Sequence, residues 1–212
     1  MPAIAADRVF VVIIALAGGW IADHIVQYFS CTASAYRAAK LTVTMIAMVL
    51  WSCWAAPPHL LLLTCLLGWA LIALAAVDFA VMRLPDLITL PLVILGLLIA
   101  AISPGYPLLD HAIGAATGYA VFAGLGLLYH RLRGRHGLGL GDAKLAAAAG
   151  AWLGWAALPV FILLACLGGI AWAGLRMIGS RDSLHAPLPF GVPLAGAFWL
   201  MWLYAPIFAP LP

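Results

Sequence analysis

The chain has 212 residues, of which 67% are hydrophobic and 8% are charged, and its formal net charge is +3. A chain of this composition could not present a polar surface if it folded in water, which excludes a soluble globular protein. The positive charge is explained by lysines and arginines in the loops, which set membrane topology and contact anionic lipid. We therefore expect an integral membrane protein whose partners include membrane lipid and no nucleic acid.

Apolar segments of roughly 15 to 21 residues recur along the whole chain, and a bilayer core of about 30 Å needs about 20 helical residues. Strands are excluded because a lipid-exposed strand edge would leave backbone groups unpaired. We predict an all-α, polytopic helical bundle with about eight transmembrane helices. Their expected bounds are Val9–Phe29, Leu41–Ala56, Leu60–Val77, Leu87–Ile102, Ala112–Tyr129, Ala143–Trp155, Leu158–Met177 and Phe190–Phe208.

The basic residues predict the orientation of these helices, because Lys and Arg in short loops stay on the cytoplasmic side. Nine of the ten basic residues fall on one side of the predicted topology, and Arg8 alone falls on the other. Both termini would then be extracytoplasmic. The alternative is a cleaved signal peptide with an A-x-A pattern at residues 15–17, which would leave an odd number of spans and place the basic loops outside.

Acidic side chains are rare, since the chain has seven, all of them aspartates. Asp78 closes the third predicted span and Asp142 precedes the sixth, so both lie at the predicted cytoplasmic face. An acid at the end of an apolar span, where water is scarce, indicates function more often than chance placement. The alternative for Asp142 is a flexible glycine turn in which Asp142 is an ordinary helix cap. Asp86, which follows in the same loop as the end of the third span, is predicted to be the N-terminal cap of the next helix.

The residues around Asp142 predict close packing. Gly139 and Gly141 permit backbone angles that are closed to other residues, and they let another segment come near. The small residues 146–150 that follow form a face suited to tight contact with a neighbouring helix.

Two carboxyl groups can hydrolyse a peptide bond without a metal. One carboxylate deprotonates water while one carboxylic acid polarises the scissile carbonyl, and two such groups held close share a proton. Asp78 and Asp142 therefore indicate an aspartic peptidase that needs no cofactor. His130 and His136 are poorly spaced for metal binding, so we expect no metal site.

Two other functions compete with this interpretation. A proton-coupled carrier would also use intramembrane acids, but it would show internal repeats. A scaffold protein would need neither aspartate.

Three motifs in the chain carry a family resemblance. The stretch D-x6-P-D at 78–86, the stretch G-x-G-D-x-K-L at 139–145 with Gly150, Trp152 and Gly154 beyond it, and LPFG at 188–191 resemble the type IV prepilin peptidases. The resemblance covers the chain from about Leu60 to its end. We expect one transmembrane peptidase domain, 1–212, made of divergent N-terminal helices, 1–59, and a family-like core, 60–212.

The resemblance implies specific roles. Asp78 and Asp142 are expected to be the catalytic dyad, and a prepilin or pseudopilin is expected to be cut on the cytoplasmic side of the bacterial inner membrane, after a leader glycine. The expected supporting residues are Arg83, Pro85, Asp86, Gly139, Gly141 and Lys144. For Arg83 the alternatives are contact with an acidic residue of the substrate and simple topological anchoring; for Lys144 they are tuning of Asp142 and snorkelling to the headgroups.

One departure from the family pattern limits the expected activity. Many members carry a large loop after the first span, with paired C-x-x-C motifs that bind zinc, and they also methylate the new N-terminus. Here that loop is about ten residues long, between Ser30 and Lys40, and holds the single Cys31. We therefore predict a peptidase without methyltransferase activity.

Overall fold

A computed structural model describes residues 21, 24–28, 35–103, 107–134, 139–179 and 188–208. All regular structure in these ranges is helical, which confirms the predicted all-α class. Residues 24–28 are helical, and seven further α-helices have described bounds: α1 (Ala35–Ala55), α2 (Leu61–Val81), α3 (Asp86–Ile102), α4 (Leu108–Arg133), α5 (Leu140–Leu153), α6 (Leu158–Gly179) and α7 (Gly191–Phe208). Short 3₁₀ helices at Pro58–Leu60 and Trp155–Ala157 precede α2 and α6.

The second to eighth predicted spans each correspond to one of these helices. The first span, Val9–Phe29, and the alternative signal peptide lie mainly outside the described residues. By length and composition, three described helices are long and apolar enough to cross a membrane: Leu61–Val81, Leu108–Arg133 and Trp155–Met177. Shorter apolar helices are Lys40–Ala55, Asp86–Ile102 and Gly191–Tyr204.

The chain divides into two compact units, Met1–Val81 and Met82–Pro212. In the first unit, α1 packs against α2. A core of Val26, Leu41 and Val77 forms there, with Val26 and Val77 fully buried. Burial of such side chains removes apolar surface from the solvent and holds the helices together.

Helix α5 is the centre of the second unit, where it contacts α3, α4 and α7. It has 14 residues, and Ala143 together with the whole run 145–152 is buried. A helix of this length is about 21 Å long, which is shorter than the bilayer core of about 30 Å. Because its neighbours surround α5, its length does not have to match the lipid.

Glycines allow α4 and α5 to pack backbone against backbone. A Cβ atom on Gly114 would collide with the carbonyl of Gly150, and a Cβ on Gly118 would lie 2.5 Å from the carbonyl oxygen of Ala146. Two small-x-x-x-small pairs, one on each helix, therefore face each other in antiparallel order. The predicted close packing of residues 146–150 is confirmed.

Trp152 joins α5 to α3 and α7. Its indole Nε1 donates a hydrogen bond of 2.7 Å to the carbonyl oxygen of Leu92, in space that a side chain on Gly96 would occupy. Its ring also meets Phe198 and Trp202 edge-on, at centroid distances of 6.3 and 5.2 Å. Trp152 is therefore a packing aromatic within the second unit.

The LPFG segment joins α7 to two other helices. Pro189 is buried, and the ring of Phe190 lies 6.4 Å from the ring of Phe122 on α4. A Cβ on Gly169 of α6 would lie 3.2 Å from Phe190 Cε2. The segment therefore fixes the entry of the chain into α7.

We predict opposite effects for alanine at two glycines of α4. Gly118→Ala should lower the thermal unfolding midpoint by several degrees, because its methyl group meets the backbone of α5 and overpacking costs about 1–3 kcal/mol. Gly124→Ala is the matched control, because its Cβ would meet nothing within 4 Å and alanine favours a helix over glycine by about 1 kcal/mol. Unfolding of both variants in one detergent measures the difference. An equal loss of stability would contradict the packing described here.

Candidate active site

Asp78 lies inside helix α2 and is 5% exposed. The sequence placed it at the end of the third span, which is wrong by one turn, because α2 continues to Val81. The apolar residues after Asp78 extend the helix until Met82, whose φ of 53° is left-handed and ends it. The carboxyl group is therefore held by a formed helix.

Asp142 lies in the first turn of α5 and is half-buried. Gly139 occupies the N-cap position, and its carbonyl oxygen accepts a hydrogen bond of 3.1 Å from the backbone N–H of Asp142. The alternative of Asp142 as the helix cap is therefore wrong. An acid at this position interacts favourably with the positive end of the helix dipole.

The two glycines of G-x-G-D differ in what they do. Neither has a positive φ, and Gly139 has φ −77° and ψ 146°, so neither glycine uses the left-handed backbone angles that its residue type permits. The predicted close approach holds for Gly141, where a Cβ would lie 2.8 Å from the Cβ of Leu84. A Cβ on Gly139 would make only an ordinary contact, 3.7 Å from Asp142 Oδ2.

The segment that contacts Gly141 is fixed by the start of α3. Pro85 is the N-cap, with φ −72° and ψ 132°, and its carbonyl oxygen accepts hydrogen bonds from Thr89 N–H at 3.2 Å and Thr89 Oγ1 at 3.3 Å. Leu84, Pro85 and Thr89 are all buried. Because Pro85 takes the capping position, the prediction of Asp86 as N-cap is wrong: Asp86 is the first helical residue.

Lys144 donates to Asp86 Oδ1 at 2.6 Å, where the two side chains are 26% and 56% exposed. The sequence weighed tuning of Asp142 against snorkelling for Lys144, and the structure gives it a third role as the ion-pair partner of Asp86. Arg83 is exposed, and its role stays a prediction. The ion pair and the Leu84–Gly141 contact thus join residues 84–86 to the G-x-G-D-x-K-L motif within the second unit.

His111 is a buried polar residue that directly precedes the fifth predicted span. Helix α4 begins at Leu108, so His111 lies in its first turns, 6% exposed, and its Nδ1 donates a hydrogen bond of 2.9 Å to the carbonyl oxygen of Ala151. Its spacing to Gly114 and Gly118, three and seven residues on, places all three on one helix face. That spacing could have revealed its contact with α5.

Gly154 is the motif glycine that requires its residue type. It follows α5 with φ 79° and ψ 167°, which is a conformation open essentially to glycine alone. Its backbone N–H donates to the carbonyl oxygen of Gly150 at 2.9 Å and closes the last turn of α5. The turn into the following 3₁₀ helix depends on this residue.

Comparison with known proteins assigns the chain to a family. Residues 65–174, about half of the chain, match the type IV leader peptidase family. The chain belongs to this family. Together with its long apolar helices, this membership makes it an integral membrane protein. No solved structure gives a significant match.

Its relatives carry the name prepilin leader peptidase/N-methyltransferase. The protein of Aeromonas salmonicida is 45% identical over 140 residues, which are 66% of this chain and 48% of the relative. The protein of Dickeya chrysanthemi is 41% identical over 152 residues, which are 71% and 52% of the two chains. That of Pseudomonas putida is 36% identical over 171 residues, which are 80% and 58%. The chain thus spans about half the length of these relatives.

We predict that the two motif glycines tolerate alanine differently. Gly141→Ala should destabilise the protein by about 1–3 kcal/mol, because its methyl group overlaps Leu84 and forces the start of α3 to move. Gly139→Ala should have a smaller effect, since its backbone angles suit any residue and its new contact is ordinary. Thermal unfolding and hydrogen exchange of residues 84–89 would compare them. A larger effect from Gly139→Ala would contradict the described contact.

Proposed function

We propose that this protein is a membrane aspartic endopeptidase that removes the N-terminal leader of type IV prepilins or pseudopilins. The observation that carries the proposal is that the segment matched to the type IV leader peptidase family, residues 65–174, contains both Asp78 and Asp142. The relatives named prepilin leader peptidase support the choice of substrate.

In the proposed mechanism, Asp78 and Asp142 form the catalytic dyad. One carboxylate removes a proton from water, which attacks the scissile carbonyl carbon, while the protonated partner donates a hydrogen bond to the carbonyl oxygen. The proton then passes to the leaving amine as the C–N bond breaks. Burial of Asp78 at 5% exposure supports this role, because an acid in an apolar helix is costly without a function.

The proposed place of reaction is the cytoplasmic face of the bacterial inner membrane. Among the described residues of the second unit, the basic side chains precede α3, end α4, begin α5 and end α6; they are Arg83, Arg131, Arg133, Lys144 and Arg176. An alternation of helix direction brings these four positions to one end of a bundle. The positive-inside bias assigns that end to the cytoplasm. Asp142 begins α5 and belongs to the same end.

Replacing either aspartate should abolish leader cleavage. We expect Asp78→Asn and Asp142→Asn to lower kcat for a purified prepilin in proteoliposomes by about 10²–10⁴-fold, which is the usual contribution of general acid–base groups. The double variant should be no worse than either single variant, because residues that act as a unit are not additive. Asp110→Asn is the matched control, since Asp110 is a half-buried aspartate at the opposite end of α4.

The outcomes separate the candidate functions. Near-normal cleavage by either folded variant would overturn the dyad. If the wild type cuts no prepilin, the carrier and scaffold interpretations return. Cleavage of added prepilin by right-side-out vesicles in preference to inside-out vesicles would overturn the proposed membrane face.

We further propose that the protein does not methylate the product. The short segment between Ser30 and Lys40 offers one cysteine, where two C-x-x-C pairs would be needed to bind zinc. Incubation of the purified protein with cleaved pilin and labelled S-adenosylmethionine should leave the pilin N-terminus unlabelled. Stoichiometric labelling would contradict this proposal.

A further inference from the structure

The ion pair between Lys144 and Asp86 connects the N-terminal turns of two helices. Lys144 belongs to the second turn of α5 and Asp86 is the first residue of α3, and Nζ lies 2.6 Å from Oδ1. The two residues are 58 positions apart in the chain, so no local preference brings them together. Their contact is a property of the folded second unit.

The ion pair fits the electrostatics of the two helix ends. Helices α3 and α5 begin side by side, so the positive ends of their dipoles are adjacent and repel. Asp86 in the first turn of α3 offsets this repulsion. Lys144 near the beginning of α5 is unfavourable for the dipole of its own helix, and the short contact with Asp86 compensates.

A second contact lies beside the ion pair and limits how α5 can move. Gly141 packs so closely on Leu84 that any side chain at 141 would collide with it. Leu84 precedes Pro85, whose carbonyl oxygen is held by Thr89. Asp142 lies directly after Gly141 and two residues before Lys144. The backbone of Asp142 is therefore held on one side by the packing of Gly141 on Leu84 and on the other by the ion pair of Lys144 with Asp86.

We propose that Lys144 and Asp86 are positioning residues that hold Asp142 in its working place against the start of α3. This inference rests on the proposed peptidase function. On a helix, residues i and i+2 point in different directions, so Lys144 does not face Asp142 directly. It acts on Asp142 through the backbone of α5. Since the pair is exposed and worth about 0–1 kcal/mol to stability, it serves geometry more than folding.

The test combines single, double and charge-exchange variants. Asp86→Asn and Lys144→Met should each lower kcat about tenfold or more with little change in KM, because a small misplacement of a reacting group costs up to about 10²-fold. The double variant should be no slower than either single variant. The exchange Asp86→Lys with Lys144→Asp should recover part of the lost kcat, as should Lys144→Arg alone. Arg131→Gln is the matched control for loss of a positive charge at a helix end.

Hydrogen exchange gives a readout that does not depend on activity. Residues 139–146 should exchange faster in both single variants and slow again in the charge-exchange variant, while 158–179 stay unchanged. The proposal is overturned if the two single losses of kcat multiply in the double variant and the charge-exchange variant recovers none of the lost kcat. Lys144 would then be assigned to direct contact with substrate. If the wild type and Arg131→Gln cut no prepilin, the proposed function fails. The hydrogen-exchange data alone then decide whether the ion pair holds the beginning of α5 in place.

Discussion

The second unit depends on one constraint, which is the close packing of α4 on α5 at glycine residues. Gly114 and Gly118 let the two backbones touch, and this contact leaves room for α3 and α7 on the other sides of α5. Lipid supplies no hydrophobic force between helices, so contact area and hydrogen bonds must hold them together. A short alanine-rich helix can therefore lie inside the bundle and carry Asp142 at its beginning.

Two polar contacts complete this arrangement near the C-terminal end of α5. Trp152 bonds to the Leu92 carbonyl, and His111 bonds to the Ala151 carbonyl. Each bond gives a buried indole or imidazole N–H a partner in apolar surroundings, where a missing partner costs several kcal/mol. With the ion pair at its other end, α5 is fixed along its length, which suits its proposed role of positioning Asp142.

The helices could be predicted from the sequence because apolar length and the interruptions between segments are local properties. The second to eighth spans follow from them, and the motifs at 78–86 and 139–145 lie within the segment that matches the family. The errors concern contacts. The sequence predicts Asp86 as a helix cap, whereas Pro85 occupies the capping position. Nothing in the sequence around Lys144 indicates that its partner is Asp86, 58 residues away. The glycines before Asp142 suggested unusual angles, whereas Gly141 is needed because Leu84 lies against it.

The central proposal is that Asp78 and Asp142 act together as a catalytic dyad. The most direct test is a variant with Asp78→Cys and Asp142→Cys in a background without the native cysteines, treated with a short bifunctional thiol reagent. We predict a rapid intramolecular cross-link between positions 78 and 142, and none when Asp110→Cys replaces Asp142→Cys. If both thiols react with a small monofunctional reagent but never bridge, with or without bound prepilin, the two aspartates are not a dyad.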